Sequence, residues 1–346
     1  MTGWEALRRS EDFEALLAVS ERLGRDPLQV QAAGGNTSLK SGGAMWVKAS
    51  GTWLAEARTR DIMVPVDAAG LRDALDGPRE DRDFVPEELN PGGLRPSIET
   101  SFHAALDWPV VLHTHSVATI AVAVLRDAAD VVAERLGDLG AVFVPYCMPG
   151  RELTRAILAA ATPSTRVIVL GNHGLICCAD TPVEAEALLR EVSKRLDRAP
   201  DPLLCPPEGF SEELEGTGWM PAPEEASSLA LDPEHLAIAE GATLYPDHAI
   251  FLGPGIVVAD SGRPLCDVLD EVGRMQPARR LVLVPGQGAA IQADASPGTL
   301  ALARALGDVV SRIEPGADLS RLSAAQEAAL LNWDAEKYRQ SLEAQR

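Results

Sequence analysis

Three of the six histidines of this 346-residue chain fall in two short turns, Leu112-His113-Thr114-His115-Ser116 and Gly171-Asn172-His173-Gly174. Side chains alternate along a strand, so His113 and His115 project to one face with Thr114 opposite. Two imidazoles on one face, with a third on a neighbouring strand end, make the three-histidine shell of a catalytic zinc site with its fourth position open. A His-X-His pair alone is a common feature of strand ends. The glycine-flanked His173 and one well-placed carboxylate, Glu99 in Pro96-Ser97-Ile98-Glu99-Thr100, turn the balance toward a metal.

Each of these residues needs an element to hold it. Val110-Val111-Leu112 leads into the first turn and Val167-Ile168-Val169-Leu170 into the second. Both runs are short, β-branched and bounded by turn residues, and read as buried strands. Gly171 and Gly174 suit a sharp turn with close backbone approach. Pro96-Ser97 reads as the opening of a helix carrying Glu99, Phe102, His103 and Leu106. Glu99 and His103 then lie one helical turn apart on one face. His103 is the rival fourth histidine, expected to pack beside the site and not to ligate.

Upstream lie two Gly/Ser/Thr turns beside strands, Gly34-Gly35-Asn36-Thr37-Ser38 and Ala49-Ser50-Gly51-Thr52, flanking Trp46-Val47-Lys48. Small residues let successive backbone N–H groups converge on an anion, and Asn36, Ser50 and Thr52 add side-chain donors. Lys48 could add charge. Either turn alone reads as an ordinary hairpin; two of them ahead of a metal shell favour a phosphate or carboxylate cradle.

Composition narrows the partners. Lys and Arg number 31 against 51 Asp and Glu, a net charge of −20. Nucleic acid and anionic membrane surfaces select basic patches, so neither is expected. An anionic small molecule stays possible, because a local pocket can oppose the net field. The start, Met1-Thr2-Gly3-Trp4-Glu5, shows no signal peptide, and no apolar run is long enough to span a bilayer. Cysteines 147, 177, 178, 205 and 266 form no Cys-X-X-Cys pair, and a reducing cytoplasm is the expected setting. The hydrophobic content of 46% is ample for a packed core.

Along the chain, Ser10 caps a helix through Phe13, Leu16, Val19 and Leu23. Residues 67–93, rich in Asp, Glu, Pro and Gly, read as an excursion with little regular structure. After the His-X-His strand the pattern predicts a helix over 117–125, a strand over 142–146, a helix over 151–161, the His173 turn, the strand Leu175–Cys178 and a helix over 182–196. Seven prolines between Arg198 and Pro233 break the periodicity. The predicted organisation is a domain over 1–197, a Pro-rich linker over 198–233 and a smaller α/β domain over 234–346. In the last, Ile250–Leu252, Ile256–Val258 and Leu281–Val284 read as strands. Helices are expected near 265–275, over 299–313, and at the end around Trp333 and Tyr338.

The second half echoes the first. Val167–Leu170, Gly171–Gly174 and the helix beyond can be laid over Leu281–Val284, Pro285-Gly286-Gln287-Gly288 and a helix, at an offset of 287 − 173 = 114 residues. Gln287, a poor zinc ligand, then stands where His173 stands. Either the second half is a degenerate copy without metal, or one strand–turn–strand–helix simply resembles another.

The motifs Gly35-Asn36-Thr37-Ser38, Ala49-Ser50-Gly51-Thr52, Pro96-Ser97-Ile98-Glu99-Thr100, His113-Thr114-His115 and Gly171-Asn172-His173-Gly174-Leu175 occur in the order seen in the class II aldolase/adducin family, and residues 10–197 resemble it. The whole chain is similar to the aldolase portion of bacterial bifunctional rhamnulose-phosphate aldolase/dehydrogenases, and the first half also to fuculose-phosphate aldolases. The resemblance implies a three-layer α/β/α sandwich around a largely antiparallel sheet, assembled as a homo-oligomer. It implies Zn2+, or another divalent metal, on His113, His115 and His173, with Glu99 as acid/base. It places a phosphorylated small-molecule substrate on Gly35, Asn36, Thr37, Ser50, Gly51, Thr52 and Ser97. The implied reaction is retro-aldol cleavage of a ketose 1-phosphate to dihydroxyacetone phosphate and a short aldehyde. Pentulose-phosphate 4-epimerases, metal-dependent decarboxylases and non-catalytic adducin-like modules share the scaffold. The fuculose-phosphate aldolases carry a tyrosine one helix beyond the His-X-His pair, where this chain has Val131-Val132-Ala133-Glu134. Tyr146 and Tyr338 are the remaining candidates for the proton donor to the departing aldehyde.

Overall fold

The apolar runs do become strands, and two sheets hold them. The computed structural model describes residues 2–334, 337, 338 and 342, and the chain divides into two units, Met1–Thr119 with Ala128–Leu196 and Ile120–Asp127 with Asp197–Arg346. The first unit contains β1 (Asn36–Ser41), β2 (Ala44–Lys48), β3 (Met63–Asp67), β4 (Val110–Thr114), β5 (Val142–Val144), β6 (Val167–Leu170) and β7 (Gly174–Ala179). They form one sheet in the order β3-β2-β1-β4-β7-β6-β5. Every pairing is antiparallel except β5 with β6.

Helices cover both faces, which completes the expected three layers. On one side Glu11–Arg25 and Pro182–Leu196 are tied by the Arg22–Glu186 ion pair at 2.5 Å. Ser20 from the first of them meets Thr37 of β1, with the two hydroxyl oxygens 2.8 Å apart. On the other side Thr100–Ala105 and Arg151–Ala160 bury Phe102, Leu153 and Ile157 against Val111, Ile168, Ile176 and Cys178. Burying a side chain of that size contributes about 1.5–3 kcal/mol, so this layer is held by apolar contact. Ser10 caps its helix as expected, accepting from the Phe13 N–H at 3.1 Å.

Two local readings of this unit need correction. The stretch after Asp67 is not without regular structure: Asp67 caps a helix over Ala68–Asp73 by accepting from Gly70 N–H. The Glu99 helix begins at Thr100, not at Pro96, and Glu99 is its N-cap residue. The reason lies in the backbone. Ser97 N–H donates to the Lys48 carbonyl at 3.1 Å and Pro96 bridges to Ala49, so both residues are committed to the end of β2 and cannot enter a helix.

The second unit holds β8 (Trp219–Pro221), β9 (Val257–Val258), β10 (Leu281–Val284) and β11 (Gly288–Gln292) in the order β8-β11-β10-β9. The stretch 198–233 is therefore no linker, since it supplies β8 and helices Phe210–Glu213 and Glu224–Leu229. Its prolines punctuate elements: Pro221 ends β8, Pro223 precedes the helix at Glu224, and Pro233 opens the helix Pro233–Ala239. A proline at a first helical position sacrifices no intrahelical hydrogen bond. Ile250–Leu252 is also no strand but the end of a helix from Pro246, every residue of which is buried. An apolar run buried on all sides does not reveal its period. The last helix with assigned bounds, Ala324–Asn332, has Trp333 as its C-cap; the expected continuation to Tyr338 runs into residues outside those described.

The echo extends to sheet topology. In β4-β7-β6-β5 the successive pairings are antiparallel, antiparallel and parallel, and β8-β11-β10-β9 repeats them. Both hairpins close with three residues, between Leu170 and Gly174 and between Val284 and Gly288. His113 pairs with Ile176 while Pro221 pairs with Ala290, again an offset of 290 − 176 = 114. Pro221, Ala222 and Pro223 thus stand where His113, Thr114 and His115 stand in the first unit.

Candidate active site

Strand alternation puts His113 on the same side of β4 as Val111, facing the helix Thr100–Ala105, and His115 follows beyond the strand end. His173 arrives from the β6–β7 turn, where Asn172 takes a left-handed φ of 53°. Gly174 is dictated by crowding: a Cβ there would lie 2.4 Å from the Thr114 carbonyl oxygen. Gly35 plays the same part before β1, with φ of 61° and an imagined Cβ 2.8 Å from the His113 carbonyl oxygen.

The three rings converge, with centroids 5.0, 5.0 and 5.1 Å apart. One nitrogen from each lies within 4.8 Å of the others, and all three side chains are buried. His113 Nδ1–H donates to the Leu175 carbonyl at 3.0 Å, which fixes the tautomer and leaves Nε2 as a lone-pair donor. That Nε2 lies 3.2 Å from Nε2 of His115. Glu99 closes the group, with Oε2 3.4 Å from His113 Nε2 and Oε1 3.4 Å from His173 Nε2. Oε1 is buried and accepts no hydrogen bond among the described residues. Three inward nitrogens and an unsatisfied carboxylate oxygen fit a divalent cation with an open coordination position. Burial pushes the Glu99 carboxyl up, but the three imidazoles and the Asn36 amide more than offset it and hold it down to about 2.

The other expected residues divide by face. Asn36 and Ser97 reach the site: Asn36 Nδ2–H donates to Ser97 Oγ at 3.1 Å and to Glu99 Oε2 at 2.8 Å. Thr37 points to the opposite face, against Ser20. Ser50 is buried next to Gly51, whose φ is 73°, in the turn whose Ser50 N–H donates to the Arg95 carbonyl at 2.9 Å. Thr52 turns its hydroxyl back onto the Ala49 carbonyl at 2.8 Å. Lys48 Nζ donates to the carbonyls of Ala33 and Gly35 at 2.8 and 3.0 Å, so it pins the loop ahead of β1.

His103 lies outside the metal group. Its nitrogens meet Ser38 Oγ, at 2.7 Å, and Asn36 Oδ1. Burial, then Lys40 and His113, hold it well below the usual histidine range, so it is neutral. Sequence reasoning missed the part of Ser38 and Lys40, although alternation from Asn36 along β1 already placed them on its face. Tyr146 follows β5, with its backbone against Gly171. Its hydroxyl is buried and makes no hydrogen bond among the described residues. Burial, with Glu152 and Cys147, pushes it up to about 12.

The sequence profile of the Class II Aldolase and Adducin N-terminal domain matches residues 14–197, just over half of the chain. The chain belongs to the class II aldolase and adducin family. Among curated proteins, an uncharacterized oxidoreductase of Bacillus subtilis (strain 168), YuxG, is 30% identical over 202 residues. The match takes in 51% of this chain and 28% of the relative, so the chain spans well under a third of that protein. Among solved structures, the N-terminal class II aldolase domain of a conserved protein from Thermoplasma acidophilum shares 26% identity at a TM-score of 0.48, over 54% of this chain and 92% of its own. The l-fuculose-1-phosphate aldolase from Thermus thermophilus shares 17% identity at a TM-score of 0.36, over 53% and 92%. The class II aldolase and adducin segment contains all three histidines, Glu99 and both glycine-rich turns.

Proposed function

We propose that this chain is a divalent-metal-dependent sugar-phosphate aldolase, cleaving a ketose 1-phosphate reversibly to dihydroxyacetone phosphate and a short aldehyde. The observation that carries the reading is the buried convergence of His113, His115 and His173 with Glu99 3.4 Å from two of them. A binding module has no use for such a set. A zinc ion or other divalent metal held by these histidines would supply Lewis-acid polarisation of the substrate carbonyl.

The chain's own residues do the rest. Glu99 takes up and returns the proton at the carbon beside the carbonyl, and the Asn36 amide holds its Oε2 while Oε1 stays open. The Ser50-Gly51 turn and Ser97, beside Asn36, grip the phosphate, while the hydroxyls of Thr37 and Thr52 are spent on Ser20 and on the Ala49 carbonyl. This grip fixes orientation at a distance from the reacting bond. Tyr146, kept protonated by burial, is suited to donate to the oxygen of the incoming aldehyde in the condensation direction, and the same proton leaves the substrate hydroxyl on cleavage. Five free cysteines agree with a reducing cytoplasm, where the protein would work as a homo-oligomer. Among the described residues no helix is long and apolar enough to cross a membrane.

The test is a panel of ketohexose and ketopentose 1-phosphates with triose phosphate read by coupled glycerol-phosphate dehydrogenase. Release that chelator abolishes supports the aldolase. Conversion of ribulose 5-phosphate to its 4-epimer without triose phosphate would replace it with the epimerase, and carbon dioxide from a β-keto acid phosphate with the decarboxylase.

A further inference from the structure

Three successive inward-facing residues of β1 spend their side chains on one residue that binds no metal. Ser38 Oγ meets His103 Nδ1 at 2.7 Å, Asn36 Oδ1 meets His103 Nε2, and Lys40 Nζ donates to the His103 carbonyl at 2.7 Å. His103 is fully buried and stacks on Phe102, with ring centroids 4.6 Å apart. A ring gripped at both nitrogens and at its own carbonyl has one orientation.

The direction of every hydrogen bond in this chain of groups follows from its far end. An ionised carboxylate only accepts, so the Asn36 group 2.8 Å from Glu99 Oε2 is its NH2 and not its carbonyl oxygen. Asn36 Oδ1 therefore faces His103 Nε2, which must carry the proton. His103 Nδ1 is then an acceptor, and Ser38 donates its hydroxyl hydrogen to it. Reversing the imidazole tautomer would set the Nε2 lone pair against Oδ1. Turning the amide over would set Oδ1 against the carboxylate.

We propose that His103 is a positioning residue for Glu99: it holds the Asn36 amide in the one orientation that steers the carboxylate toward the histidine cluster. The inference rests on the reading of Glu99 as the acid/base. It makes Asn36 a support for the carboxylate as well as a neighbour of the phosphate turn. It also explains why a histidine so close to a metal shell is neither ligand nor base: both nitrogens are committed.

The spectroscopic test uses the whole wild-type protein without added metal. Long-range 1H–15N correlation, with the His103 signals identified by their loss in His103→Gln, should show the Nε2–H tautomer with Nδ1 as acceptor. An Nδ1–H tautomer overturns the proposal. The kinetic test compares two variants. His103→Leu, which cannot donate to Asn36, should lower kcat about 100-fold through misplacement of the carboxylate, with KM within about twofold and metal content unchanged. His103→Gln offers an amide N–H to the same oxygen and should recover most of the loss. Equal losses in both variants, an unchanged kcat in His103→Leu, or loss of metal would make the residue merely structural. Should His103→Leu fail to fold, Ser38→Ala, which frees Nδ1, should show a smaller loss in kcat of the same kind; an unaltered kcat there counts against the relay. If wild-type protein releases no triose phosphate from any substrate, the proposed reaction falls, and the tautomer alone decides the relay.

Discussion

Glu99 is buried, with a donated amide on one oxygen and, among the described residues, no hydrogen-bond donor on the other, which faces His173 at 3.4 Å. That asymmetry separates holding from reacting. Glu99→Gln keeps the size and the burial and loses the capacity to accept a proton, so it should retain fold and metal. Its turnover should fall about 10²–10⁴-fold, the cost of a missing general base. Near wild-type turnover in protein of normal metal content would exclude Glu99 as the base. Lys40 gives a second expectation at this scale. Burial pulls its ammonium down to about 7 from 10.5. The unfolded chain keeps that proton up to about pH 10.4, so between roughly pH 7 and 10 unfolding takes up a proton and stability must rise with pH. Below pH 7 both states are protonated and the gain is gone. Denaturant midpoints of wild type and Lys40→Met, compared at pH 6.5 and 9, should show the wild type gaining on the variant at the higher pH. A gap that stays constant or widens against the wild type would place the charge elsewhere.

At the scale of elements, the β6–β7 turn shows what can be read before folding and what cannot. The histidines and Glu99 were legible because metal chemistry demands particular residue types, and strand alternation fixes their side. The same alternation could have told that Thr37 faces away from Asn36. The helix over Pro246–Leu252 was not legible, because total burial erases the polar face that reveals a helical period. Nor could prolines in 198–233 show whether they break elements or delimit them; only the pairing of β8 with β11 settles that. The contact of Asn36 with His103 depends on how the Thr100–Ala105 helix lies over β1, which no local pattern encodes. Gly174 is the element-level test. An added methyl would press on the Thr114 carbonyl at 2.4 Å, between the strand that carries His113 and the turn that carries His173. Gly174→Ala should cost about 1–3 kcal/mol in urea unfolding and weaken metal binding. Gly137→Ala, with nothing within 4 Å, should stay within about 0.5 kcal/mol. Equal stabilities for the two variants would mean that the turn yields.

For the whole molecule, a repeated topology invites the expectation of a repeated site, and the residues deny it. The places of His113, Thr114 and His115 are taken by Pro221, Ala222 and Pro223, and that of His173 by Gln287. Among the described residues a single cluster suits a cation. Elemental analysis of purified protein should give one divalent metal per chain, and His113→Ala or His173→Ala should remove it. Two metals per chain, or full occupancy in either variant, would contradict the site. The repeated half differs in another respect: β4 lies between β1 and β7, whereas β8 is the outermost strand of its sheet.

An outermost strand is an invitation to polymerise, since its unpaired N–H groups can template a strand from another molecule. β8 bonds inward through Ala222, whose N–H reaches the Ala289 carbonyl at 2.8 Å, and alternation turns the backbone N of Trp219 and Pro221 outward. The Trp219 N–H is already met by Thr217 Oγ1 at 3.2 Å, and Pro221 has no N–H to offer. The edge is thus chemically blunt. The proline standing where the first half has His113 acts here as a guard against aggregation. Pro221→Thr would reopen the template, and light scattering on concentrated protein should register slow growth of assemblies that the wild type does not form.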